Sequence, residues 1–168
     1  MTTKEEVIAA IEASDARVKG LAQALLAHAA ARLPESEWDV RQALCHVAAR
    51  ANAVPLSLSV MQRVLAARAQ GQAPDLRGGS ARAVDINQAQ LDERRDRGLA
   101  DLLAEIEVGH QAAIAAVRDM PPDQFEQRFP RFTGEGEMSL GELIQRAGSG
   151  HENDHLDQIE RAIATIQS

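Results

Sequence analysis

Apolar residues return every three or four positions over four long stretches of the chain, the spacing of one buried helical face. Val7, Ile11, Val18, Leu21 and Leu25 form the stripe of a first helix expected from Lys4 to about Arg32. Thr3 followed by Glu6 is a capping box at its start. Val40, Leu44, Val47, Ala51, Val54, Leu58, Met61 and Leu65 predict a second helix from Val40 to about Gln70, opened by a second capping box, Asp39 with Gln42. Pro55 lies inside it and is expected to kink or split it. Trp38, just ahead of the cap, is expected to pack back onto the helix as an anchor.

A third helix is expected from Asp85 to about Asp119, with Leu99, Leu103, Ile106, His110, Ile114 and Val117 inward and the mixed charges Asp92 to Arg97 on a solvated face. A fourth opens at Ser139 with Glu142 as capping box and carries Leu140, Leu143, Ile144, Ala147, His151, His155, Ile159, Ala162 and Ile166 in one continuous stripe. Between the second and third lies Gly71 to Asp85, broken by Pro74, Gly78 and Gly79. Antiparallel neighbours need only ~2–8 residues of connection. Extended, this linker reaches roughly 50 Å, so it can cross over and leave the second and third helices parallel. Met120 to Met138 is a second irregular segment holding Phe125, Phe129 and Phe132, with a short hairpin near Gly134 as the only β-structure expected. The fold expected is all-α, a four-helix bundle with a long crossover between helices 2 and 3.

Composition agrees. The chain has 168 residues, 45% hydrophobic and 26% charged, with 2% aromatics and no Tyr. Residues 1–168 are expected to form a single domain. A net charge of −7 without a basic stripe predicts no nucleic acid as partner. One Cys suits a reducing cytosol, the N-terminus lacks a secretory pattern, and no apolar run is long enough to span a membrane, so a cytoplasmic protein is expected. Cys45 itself is expected to be a buried, inert thiol.

Candidate chemistry centres on His151 and His155, one helical turn apart on one face. They occupy positions where the stripe calls for hydrophobes, and buried polar groups need partners. A divalent metal is the economical partner, with His46, on the flank of the second helix, as third ligand. His151-Glu152-Asn153-Asp154-His155 also matches H-E-x-x-H, the zinc metalloprotease pattern, with Glu152 as general base. No suitable ligand follows it, and Glu152 and Asp154 are expected to face solvent. The bland alternative, two hydrogen-bonded or solvated histidines, stays open. His28 and His110 lie on stripes without a partner at ligand spacing, so their replacement is expected to spare the metal. Gly148 and Gly150 ahead of the pair point to close helix approach or a ligand there.

These residues resemble the DinB-like superfamily, most closely the N-terminal domain of mycothiol-dependent maleylpyruvate isomerase. The likeness lies in Trp38-Asp39-Val40 with Ala43-Leu44-Cys45-His46-Val47-Ala48, in Asp85-Ile86-Asn87, in Met138 to Ile144, and in the His151/His155 pair. It implies an up-down-down-up bundle and the metal triad His46, His151 and His155. It further implies nickel or zinc, and a low-molecular-weight thiol used in S-transfer or isomerisation of a small-molecule substrate. Nothing beyond Ser168 is expected to supply the full isomerase's C-terminal domain, so maleylpyruvate itself is not the expected substrate. A non-enzymatic metal-binding or stress-response helical module is the alternative. A homodimer through the outer face of two helices is expected.

Overall fold

Three capping boxes set where helices begin. Thr3, Asp39 and Ser139 accept from the N–H groups of Glu6, Gln42 and Glu142, whose side chains return to the cap N–H groups. The computed structural model describes residues 2–34, 36–52, 70, 83–130 and 136–167. In chain order these form α1 (Lys4–Ala27), α2 (Val40–Ala51), α3 (Ala83–Arg94), α4 (Leu99–Asp119), a short α5 (Pro122–Phe125), β1 (Arg128–Pro130), β2 (Glu137–Ser139), α6 (Leu140–Gln145) and α7 (His151–Gln167). The described residues are thus mostly helical, and β1 and β2 pair antiparallel with Phe129 opposite Met138. The expectations placed on Val54, Pro55, Leu58, Met61, Leu65 and most of the Gly71–Asp85 linker lie outside the described residues.

Three expected helices are shorter or broken, each for a local reason. α1 stops at Ala27 rather than Arg32: His28 caps it outside helical geometry, and the chain beyond runs against the start of α2, the carbonyls of Ala29 and Ala31 accepting from Arg41 and Val40. The expected third helix divides into α3 and α4. Gly98 caps α4, with Asp101 accepting its N–H, and the Arg41 guanidinium bonds the carbonyls of Arg95 and Arg97 in the gap. The fourth divides at a wide π-type turn, Arg146–Gly150, where Gly148 leaves helical geometry at φ −92°, ψ −108°.

That turn changes which face is buried. A π turn holds about one residue more than an α turn, so the helix after it is rotated by roughly 100° relative to an unbroken one. Beyond the turn the core face is Glu152, Leu156, Ile159 and Ile163, with Ala162, while Ile166 is exposed. His151 and His155 therefore sit half-buried on the flank of the stripe, not along its centre.

Two apolar clusters fill the interior. One joins Val18 and Leu25 of α1 with Leu44 and Val47 of α2, Leu102 and Ile106 of α4, and Leu156 and Ile159 of α7. The other joins Val7, Ile11, Val117, Phe125, Met138, Leu140 and Ile144. Phe125 thus plugs that end of the core, and it lies against Gly141. Along α1, Ser14 falls between the two sets; along α4, His110 does; ahead of Leu156, Ser149 and Glu152 do. All four are buried, so a polar layer separates the clusters. α2 and α4 approach closely, because a Cβ on Gly109 would lie 2.8 Å from the Ala51 carbonyl carbon.

Candidate metal centre

His46 belongs to the buried run Ala43 to Ala51 of α2 and is 2% exposed. Its ring faces α7, where His151 and His155 stand one turn apart. His46 Nε2 lies 3.1 Å from His151 Nε2, and His155 Nε2 lies 3.3 Å from the same atom. One ligating nitrogen from each ring falls within 4.8 Å of the others, and this is the group of the described residues that can hold a metal ion. The rings meet edge to face, with interplanar angles of 80–85°.

The outer nitrogens decide what the inner ones offer. His46 Nδ1 is 2.8 Å from Gln90 Oε1, and His155 Nδ1 is 3.3 Å from Gln158 Oε1. An amide oxygen only accepts, so in both rings Nδ1 carries the hydrogen and Nε2 presents its lone pair inward. Converging lone pairs repel unless a cation lies among them. Two nitrogens ~2.0–2.1 Å from one ion, at angles between octahedral and tetrahedral, are roughly 2.9–3.4 Å apart. The two short separations fit that spacing.

Electrostatics keep the rings in the ligating form. Burial pushes His46 down to about 3, and the neighbouring His155 and His151 add to the effect. Burial also lowers His151 and His155. All three are neutral at pH 7, the state a metal requires. Trp38 stacks on His155 with ring centres 5.8 Å apart and tilts against His46 at 5.2 Å. Its anchoring role is thus exercised against the imidazoles.

Other sequence-marked residues go elsewhere. Glu152 was expected in solvent but is 2% exposed and turned away from the pair. Its Oε2 accepts from His110 Nε2 at 2.9 Å, and His110 Nδ1 reaches Asp15 Oδ1 at 3.2 Å. Burial opposes charge on His110, but the bonds from Glu152 and Asp15 outweigh it and raise its pKa. A carboxylate so engaged is not placed as the base of an H-E-x-x-H protease. Asp154 is exposed, as expected. Cys45 is buried and its thiol is pushed up by burial, which fits an inert residue. His28 caps α1. Gln90, Gln158 and the Glu152–His110 contact were missed; Gln158, one turn after His155, was the one legible from spacing.

The mycothiol maleylpyruvate isomerase N-terminal domain model matches residues 7–146. The chain belongs to this family, a DinB-like one. The match includes His46 and ends at the start of the wide turn, so His151 and His155 lie beyond it. No curated protein matches this family member. Among solved structures it is similar to an uncharacterised protein from Escherichia coli UTI89, at 15% identity and TM-score 0.71, covering 99% of this chain and 96% of that one. It is also similar to the colibactin self-resistance protein ClbS in complex with a dsDNA, at 14% identity and TM-score 0.68, covering 96% of each. At such identities the likeness concerns the fold. The ClbS complex overturns the exclusion of nucleic acid drawn from net charge. That complex holds a chain of this fold on duplex DNA; net charge is a poor guide to it, since phosphate contacts are local and a whole-chain charge of −7 does not describe any one surface. No helix among the described residues is long and apolar enough to cross a membrane.

Proposed function

We propose that this chain is a divalent-metal-dependent enzyme, a thiol S-transferase or thiol-dependent isomerase, with His46, His151 and His155 as metal ligands. The observation that carries the reading is the convergence of three Nε2 atoms, with the outer nitrogens of His46 and His155 engaged by Gln90 and Gln158. Three imidazoles leave a coordination position open, as in catalytic rather than structural sites. A nickel or zinc ion bound there would supply Lewis acidity, holding a thiol as thiolate, or water as hydroxide, at neutral pH. Gln90 and Gln158 orient the rings of His46 and His155. Trp38 shields one side from water. Arg50, four residues after His46 on α2, places a positive charge felt by all three rings, which favours an anionic sulfur over a neutral one.

The wider frame of this reading is a cytoplasmic single domain over residues 1–168, folded as an up-down-down-up four-helix bundle. Arg41 at the start of α2 meets the residues just before α4, and Ala51 at its end meets Gly109. Start lies by start and the end of α2 further along α4, so α2 and α4 run parallel, which supports that topology. Elemental analysis of the purified protein and of His46→Ala tests the site: nickel or zinc in the first and none in the second is expected. Turnover of a low-molecular-weight thiol with an electrophile tests the enzyme. A second reading, a non-enzymatic metal-binding or stress-response module, has support in the fold likeness to a self-resistance protein. Metal retention without any thiol turnover favours it.

A further inference from the structure

The wide turn Arg146–Gly150 immediately precedes the histidine pair. The turn offsets α7 by roughly 100°, but with Gly148 outside helical geometry it holds that offset less stiffly than an unbroken helix, so contacts to other elements must fix the rotation of α7 about its axis. The tolerance is small. Side-chain tips lie ~5–6 Å from a helix axis, so a rotation of roughly 20° moves them about 2 Å, far more than a ligand geometry accepts.

Near the pair, the Asn153 amide donates to the buried Ser14 hydroxyl of α1 at 3.0 Å, a directional but neutral bond, and the other contacts are of three kinds. Leu156, Ile159 and Ile163 bury apolar surface, which is non-directional. Arg17 of α1 bonds Asn153 and pairs with Asp157 and Glu160, but the two acids are 53% and 42% exposed, and exposed pairs restrain weakly. The third is the Glu152–His110 contact, 2.9 Å long between side chains 2% and 3% exposed. It is directional, buried, and one residue from His151. Position 152 lies ~100° round the helix from 151. With Glu152 drawn inward to α4, His151 and His155 are turned to α2 and His46.

Burying this pair does little for stability as such. Glu152 Oε1 has no hydrogen-bond partner among the described residues. Replacing buried ion pairs by well-packed hydrophobes is often neutral or stabilising. What the contact gives is one orientation. We propose that Glu152 and His110 are positioning residues for the three-histidine centre, pinning α7 at the rotation that turns His151 and His155 toward His46. Asp15 holds the far side of the His110 ring and so fixes the pin to α1 as well.

The proposal uses the metal reading for one of its two readouts; the other needs no metal. In metal-free protein with labelled histidines, ring-proton NOEs between His46 and His151 report the rotation. In Co2+ titrations, affinity and the visible d–d bands report the geometry. Glu152→Gln keeps length and acceptor, and should keep the NOEs and bind Co2+ within about threefold of the parent. Glu152→Asp keeps charge but shortens the bridge, and should weaken the NOEs and shift the bands. Glu152→Leu with His110→Leu should melt no lower than the parent, lose the NOEs, and bind Co2+ at least about tenfold more weakly, the range found for outer partners of metal ligands. Parental NOEs in both the Asp and the double-Leu variants overturn the proposal. Should the double variant not fold, the Asp variant decides in the same way. If the parent itself binds no Co2+, the metal reading falls and the NOEs alone judge the pin.

Discussion

His46 Nε2 on α2 and His151 Nε2 on α7 face one another at 3.1 Å. Two neutral imidazoles reach that separation with a shared proton or a shared cation. Gln90 holds the His46 hydrogen on the far nitrogen, which leaves an inward lone pair to be satisfied. Replacing His46, His151 or His155 by Ala should therefore reduce bound divalent metal to background in elemental analysis. His28→Ala should leave it unchanged, since His28 caps α1. His110 no longer belongs with His28 as a control, because it holds Glu152.

Metal-free protein should lose stability in acid along a slope these rings set. His46, His151 and His155 are all lowered below 6.5, His46 to about 3. A depressed histidine binds protons more readily unfolded than folded. Its contribution is present above the unfolded value of ~6.5 and is lost as pH falls through the folded value. His110 is raised and works in the opposite sense, its contribution being lost as pH rises through its folded value. Urea midpoints measured from pH 7 down toward pH 3 should fall for the parent and fall less steeply for His46→Gln.

Trp38 is the one tryptophan of the chain and stacks on His155. Its emission should be quenched by stoichiometric Ni2+ or Co2+. Quenching should vanish in His155→Ala and His151→Ala at the same metal concentration. Quenching that persists in those variants would place the metal elsewhere.

Gly109→Ala should destabilise by about 1–3 kcal/mol, the usual cost of forcing a methyl into a filled interior. The added Cβ would lie 2.8 Å from the Ala51 carbonyl carbon and 3.0 Å from its Cβ, so α2 and α4 must separate. Because His46 rides on α2, Co2+ affinity should fall together with the urea midpoint.

The histidine triad was open to sequence reading because its core is local. His151 and His155 are one turn apart whatever surrounds them, and the residues around His46 carry a family likeness. The three caps were equally local, and Thr3, Asp39 and Ser139 all act as caps. What hid Glu152 was phase. The run Leu140, Ile144, Ala147, His151, His155 keeps helical spacing on paper, and only Gly148 and Gly150 marked that the helix does not continue through it. The break ahead of Gly98 hid inside a charged run that looked like an ordinary solvated face. Gln90 carries no periodic signal and meets His46 from forty-four positions away.

The wide turn also makes the centre depend on residue number as much as on residue type. One surplus position between Gln145 and His151 separates the observed arrangement from a straight helix. Were the same residues wound as a straight α-helix, no ligand would change, yet the histidine pair would swing about a quarter-turn toward the space Glu152 now fills. Deleting one codon there would instead take up the surplus, close the turn into a straight helix and leave the pair facing as it does now. In this chain the one surplus residue is what lets the pair face His46 while Glu152, next to it in the chain, faces the core.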